Sequence, residues 1–213
     1  MSQKTLSVRL SLNDKQFQSG LRKATKSLKK FGKSMQKTGK QLSTSLTLPV
    51  LAFGAASVKA FDEQIKAETK LRTALKEDEK TFQRLTKAAQ DFQKVSLFGD
   101  EEIITQQAYL ASLGMTEETI NKVIAASLDL SAGTGQTLEF GVKNLAKTFA
   151  GLTGELGESI PALKELTKEQ LIAGAAVDVV SKAFEGQALA LTKVGLGPFK
   201  QVQMALSDVS EEF

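Results

Sequence analysis

At 213 residues, with 41% apolar and 24% charged side chains, the chain can bury one sizeable core or divide into an elongated arm and one domain. It has neither cysteine nor histidine. This removes disulfides, thiolate nucleophiles and thiolate metal sites, along with the commonest general base and transition-metal ligand, and most catalytic constellations are excluded with them.

Tryptophan is absent and Tyr109 is the single tyrosine, which argues against an aromatic platform for stacking nucleic-acid bases. The first residues lack the apolar run of a secretory signal. The longest uncharged run, Gln41 to Val58, contains polar residues, Pro and Gly; it reads first as a buried helix and only second as a membrane-active segment. The net charge of +4 is unevenly placed. Residues 1 to 40 hold eleven Lys and Arg against the lone acid Asp14, so the remainder, with 17 basic and 23 acidic residues, is net negative. Such an arm calls for an anionic partner or an acidic protein surface. Nucleic acid, phospholipid and protein all meet that description.

Within residues 1–14, Leu6, Val8, Leu10 and Leu12 alternate with Thr5, Ser7, Arg9 and Ser11, the period of one half-buried strand. Its partner is another chain or a segment the sequence does not reveal. From Phe17 the period changes: Phe17, Leu21, Ala24, Leu28, Phe31, Met35, Thr38 and Leu42 follow steps of four and three, a heptad a/d pattern. Phe17, Leu21, Ala24, Leu28, Phe31, Met35 and Leu42 form a candidate self-association seam. Arg22, Lys23, Lys26, Lys29, Lys30, Lys33, Lys37 and Lys40 form a basic face beside it. One reading places this helix on the protein's own core. The other, favoured because a stripe two residues in seven wide is narrower than a globular helix face, pairs it with a copy or a neighbour. Gly20, Gly32 and Gly39 each weaken the helix by about 1 kcal/mol relative to Ala, so order in the arm is expected to come from its partners.

At Leu46 a further step of four relaxes the heptad phase. Pro49 suits the first position of a new helix, with Thr47 or Leu48 outside it. Val50, Phe53 or Gly54, Ser57, Phe61, Ile65 and Leu71 or Leu75 then trace one face to about Lys76. Residues 15–80 are thus expected to be a basic heptad arm and an apolar helix containing Pro and Gly, with Glu77 to Lys80 a solvated connection.

Residues 81–213 read as a compact domain of short helices, which makes the fold class mainly α: a basic coiled-coil-like arm, a bundle of short helices and one possible N-terminal strand. Phe82, Leu85, Ala89, Phe92 and Val95 mark a first helix ended at Phe98-Gly99. Asp100 is expected to cap the next, with Glu101 and Glu102 in its first turn and Ile103, Ile104, Ala108 and Leu110 inward. Gly114 closes it. Thr116 caps a third helix bearing Ile120, Val123, Ile124, Ser127 and Leu128. Gly133-Thr134-Gly135 reads as a C-terminal turn, and Leu138, Val142, Leu145 and Phe149 define a fourth helix. Gly151, Gly154 and Gly157 mark an expected mobile loop. Thr167 with Gln170 forms a capping box that opens one helix running from Leu171 and Ile172 through Ala175, Ala176, Val179, Val180 and Ala183 to Phe184.

Sites of chemistry are not expected. Gly32-Lys33-Ser34 resembles the end of a phosphate loop, but Ser27 stands where the earlier glycine is required. Gly133-Thr134-Gly135 has Leu138 in place of the third glycine of a dinucleotide fingerprint. Ser34 and Lys37 have the spacing of a nucleophile pair on a polar helix that gives no reason for a lowered lysine pKa. The acidic doublets fit helix N-termini better than a catalytic carboxylate pair. No cofactor, metal or small-molecule substrate is therefore expected, and no enzyme.

Taken together, residues 6–60 resemble the N-terminus of tailed-phage tail tape-measure proteins. Two stretches carry the likeness: SVRLSLNDKQFQSGLRKATKSLKKFGKSMQKTGKQL, and LSTSLTLPVLAFGAASVKAFDEQ from Leu42 to Gln64. The later stretch SLFGDEEIITQQAYLASLGMTEETINKVIAASLDLSAGTGQTL is similar to the helical domain that often follows in that family. The resemblance implies a non-catalytic ruler and scaffold for tail length, a homo-oligomer that associates with tail tube, tail tip and tail assembly chaperone proteins. It would act in the host cytoplasm during assembly and then occupy the lumen of the virion tail. At about 1.5 Å per helical residue the chain would span only roughly 320 Å, short for that family, and it ends at Ser210-Glu211-Glu212-Phe213 without a helix stop; a truncated or split phage or prophage product is expected. The competing expectation is a helical polyanion- or membrane-binding protein that uses its basic arm, with weak non-specific contact to DNA or membrane.

Overall fold

The computed structural model describes residues 47–211, with side-chain placement for 61–208. The described chain is mainly α-helical. The expected strand over 1–14 and the heptad arm over 15–42 lie outside the described residues. The chain divides into two compact units, Met1–Ala52 and Phe53–Phe213, and the account below concerns the second.

Helix α1 spans Thr47–Ala74, so Thr47 and Leu48 are inside it and Pro49 is its third residue. The first four N–H groups of a helix have no intrahelical acceptor, and proline loses nothing there. Its inward face departs from the expected one: Ala67 and Leu71 are buried, whereas Phe61 and Ile65 are 51% and 46% exposed. The reason is angular. The step of six from Ile65 to Leu71 turns an α-helix by about 240°, so the two cannot share a face. Two left-handed residues, Lys76 and Glu77, end the helix, with the Glu77 amide donating to the Arg72 carbonyl at 3.2 Å in a Schellman-like closure.

Asp78 is more than part of a solvated connection. It caps α2 (Glu79–Gln93), accepting from the Thr81 amide, and Glu79 and Lys80 are the first helical residues. Arg72 lies 3.8 Å over the Phe82 ring and pairs with Glu79, tying the turn together. Phe82, Leu85 and Ala89 are buried as expected; Val95 lies past the helix end and is exposed. Helix α3 spans Asp100–Ser112, and its cap is the extended backbone of Gly99, not Asp100, which is the first helical residue and buried. Gly114, at φ +79°, follows it.

Helix α4 (Glu117–Thr134) starts at Thr116, whose side chain accepts from the Thr119 amide, and ends at left-handed Gly135; Ile120, Val123, Ile124, Ser127 and Leu128 are all buried. Thr137 caps α5 (Leu138–Thr148). The expected loop around Gly151 to Gly157 instead holds α6 (Gly154–Ser159), followed by a 3-10 turn at Pro161–Glu165. Burial of Leu156, Ile160 and Leu163 in the core supplies what their local propensity lacks. The capping box at Thr167 and Gln170 is present. It opens only the short α7 (Lys168–Ile172), because Gly174 turns left-handed at φ +92° before α8 (Ala175–Phe184). Ile172, expected inward, is exposed. Two more helices, α9 (Gln187–Thr192) and α10 (Gly197–Glu211), complete the described chain.

Helix α4 is the hub. Helices α2, α3, α5, α8 and α9 all pack against it, and one core joins Ala67 and Leu71 of α1 to residues as late as Ala188. The approach of α5 is close: a Cβ on Gly141 would lie 3.1 Å from Ser127 Cβ. Asp129 of α4 binds the start of α9, accepting from the Gly186 amide at 3.2 Å and the Ala188 amide at 2.9 Å. An Asp129→Ala variant is expected to lose about 1–2 kcal/mol, the scale of a lost cap, and hydrogen exchange should quicken in α9 before it does in α4; unchanged exchange in α9 would argue against the tie.

Candidate interaction surfaces

All residues of the expected seam (Phe17, Leu21, Ala24, Leu28, Phe31, Met35, Leu42) and of the expected basic face (Arg22, Lys23, Lys26, Lys29, Lys30, Lys33, Lys37, Lys40) lie outside the described residues. Within the helical module, two features stand apart from ordinary packing: an acidic corner between α2 and α3, and the helix α10 that docks on it.

The corner is built on Gln93 at the end of α2. Its Oε1 accepts from the Asp100 amide at 2.6 Å, and its Nε2 donates to Asp208 Oδ2 of α10 at 2.6 Å. Gln201 of α10 donates in return to the carbonyls of Gln93, at 3.0 Å, and Ser96. Asp100 is 5% exposed, and its Oδ1 has no hydrogen-bond partner. Burial, then the neighbouring Glu101 charge, push its pKa up to about 6. Burial also raises Glu101, with Asp208 and Glu102 adding to the rise, and raises Glu102, with Glu139 adding. The positive end of the α3 dipole favours anions here, yet desolvation by burial is the largest influence on all three carboxyls and wins. A cleft of about 270 Å³ remains between the corner and α10, lined by Glu101, Lys200, Gln203, Ser207 and Asp208 among others. What this arrangement can do chemically is hold and release a proton near pH 6.

Helix α10 is inverted relative to a normal surface helix. Gln201, Met204 and Asp208 turn toward the body, while Phe199, Val202 and Leu206 are 55%, 49% and 39% exposed. An open groove of about 570 Å³ lies between α1, α3 and α5, lined by Thr69, Thr73, Thr105, Tyr109, Glu139 and Lys143 among others; Lys143 is paired with Glu139 along α5.

The sequence pattern named no helix after Phe184, and it pointed to Asp100 as the cap of α3. For α10 a signal did exist. Phe199, Val202, Leu206, Val209 and Phe213 repeat in steps of three, four, three and four.

Among the described residues, no group of three or more acidic side chains could hold a metal ion, and no helix is long and apolar enough to cross a membrane. No family model, curated protein or solved structure matches the chain.

Proposed function

We propose that the chain is a phage tail assembly protein of the tape-measure type, a scaffold that catalyses no reaction. The observation that carries the reading is the order of its parts. A lysine-rich a/d-patterned arm leads into an apolar helix with Pro and Gly, and that helix into a module of short helices. In the module, the stretch that resembles the family's following domain forms α3, a turn at Gly114-Met115, α4, and a turn at Gly135. On this reading the arm self-associates and meets tail tube, tail tip and chaperone proteins, first in the host cytoplasm and then in the tail lumen.

The arm's charge favours a second reading, in which it binds a polyanion or an anionic membrane. The two make different demands: a scaffold needs the apolar seam, a polyanion binder mainly the charge. Leu21→Asp, Leu28→Asp and Met35→Asp together should abolish self-association and capture of tail proteins. Changing Lys23, Lys26, Lys29, Lys30 and Lys33 to Gln should leave both largely intact, because apolar burial responds weakly to salt. Sedimentation and co-purification with the tail proteins check this. Tight DNA binding by the parent near physiological salt, with assembly unchanged when the seam is broken, would instead select the polyanion reading.

A further inference from the structure

We propose that α10 is a pH-dependent latch, seated on the acidic corner in mildly acid solution and released towards neutral pH by repulsion between Glu101 of α3 and Asp208 of α10. The latch stands independently of the tape-measure reading.

Three observations lead there. The first is how α10 is attached. Among the described residues, none of α10 belongs to the core. It packs beside α9 and reaches the corner through polar bonds: Gln93 Nε2 donates to Asp208 Oδ2 at 2.6 Å, and Gln201 Nε2 to the carbonyls of Gln93, at 3.0 Å, and Ser96. Such bonds contribute little net stability, because water offers the same partners once the helix leaves. A seat of this kind is weaker than the apolar packing of the body, and one added charge can decide it.

The second is the charge across the seat. Glu101 and Asp208 line the same cleft, and among the described residues lining it Lys200 is the one cation. Burial first, then the charges of Asp208 and Glu102, lift Glu101 above its ordinary carboxylate range. Since Asp208 raises the proton affinity of Glu101 in the seated state, linkage requires that a proton on Glu101 favour seating and that its loss favour release. The seat is therefore firm at low pH and weakens as pH rises. Asp100, pushed up to about 6 by burial and then by the Glu101 charge, adds its own negative charge to the corner above that pH. The charges of neighbouring elements are engaged elsewhere: Lys94 of α2 with Asp91, Glu117 and Glu118 of α4 with Arg84 and Lys122, Asp129 with the start of α9, and Lys143 of α5 with Glu139. Helix α9 carries no ionisable side chain. The third is freedom to move. Left-handed Gly195, at φ +56°, lies between α9 and α10, so α10 can swing away while α9 keeps its place.

Hydrogen exchange on the full chain, corrected for the intrinsic effect of pH, tests the latch. Once released, a helix of 15 residues is marginal on its own, so the amides of residues 201–208 report seating and those of α4 report the body. Between pH 5 and pH 7.5 protection at 201–208 should fall about tenfold, the loss that corresponds to one pKa unit added by seating, and by clearly more than in α4. Glu101→Gln and Asp208→Asn, each of which removes one of the opposed charges, should each hold α10 near its pH 5 protection at pH 7.5. Gln201→Ala should strip α10 of protection at both pH values and leave α4 protected. The proposal is overturned by a fall in α10 no larger than in α4, by a fall that survives either charge-removing variant, by an α10 still protected in Gln201→Ala, or by a parent α10 unprotected at pH 5.

Discussion

Leu145→Ala should destabilise the helical module by about 2–5 kcal/mol, shifting its urea midpoint without a change in slope. Leu145 is fully buried on α5, the helix that seats against the hub α4, so cutting its side chain back to a methyl group leaves a cavity in the core. The opposite change tests the same contact. Gly141 lies one turn earlier, where even a methyl group meets Ser127 at 3.1 Å and the Ser127 backbone at 3.3 Å. Gly141→Leu therefore forces the helices apart and should cost at least the 1–3 kcal/mol of an overpacked core. Leu152, 60% exposed, serves as the comparison; Leu152→Ala should stay within about 0.5 kcal/mol. A Leu145 variant as stable as the Leu152 variant would mean that α4 and α5 do not pack as described.

Asp100→Asn should make the protein more stable at pH 7.5 by about 1–3 kcal/mol, with little effect at pH 4. The sign follows from the raised pKa. The folded state holds the Asp100 proton up to about pH 6, while the unfolded chain releases it near 4. Between those values folding takes up a proton, so the stability present at low pH is lost as pH climbs through 4 to 6. Above pH 6 the charged carboxylate stands buried beside Glu101, with Asp208 and Glu102 also acidic neighbours of that corner and Lys200 on the wall of the adjoining cleft. Asparagine keeps the shape, carries no charge and brings an amide that can donate. Thermal melts of parent and variant across pH 4–8 should converge at the acid end and separate above pH 6; parallel curves would show that Asp100 is not the group responsible.

The elements legible in sequence were those whose signals are local. Thr116 and Thr167 sit directly before the helices they cap, Gly135 ends α4 where a left-handed residue is needed, and the α4 stripe has a clean helical period. What failed was either an offset of one residue or a matter of distant partners. Gly99 caps α3 with its backbone alone, so Asp100 is the first helical residue and is buried. The turns around Leu156 and Leu163 are too short to persist alone and form because the core receives them. The start of α9 is capped by a carboxylate from α4, which no window of neighbouring residues contains. Of the candidate surfaces, the α10 face was written in the spacing of Phe199, Val202 and Leu206, whereas the raised pKa of Asp100 depends on burial that only the packed module supplies.

The same distant cap has a consequence for the order in which the protein is made. Asp129 and the amides it serves are separated by 57 and 59 residues. At roughly 5–20 residues per second, several seconds pass between the synthesis of α4 and that of its last covering helices. During that interval α4 can be met by α2, α3 and then α5, but the surface meant for α8 and α9 stays open to water and to other nascent chains. The hub of the finished module is thus, for a few seconds in each round of translation, an element whose apolar face is only partly covered.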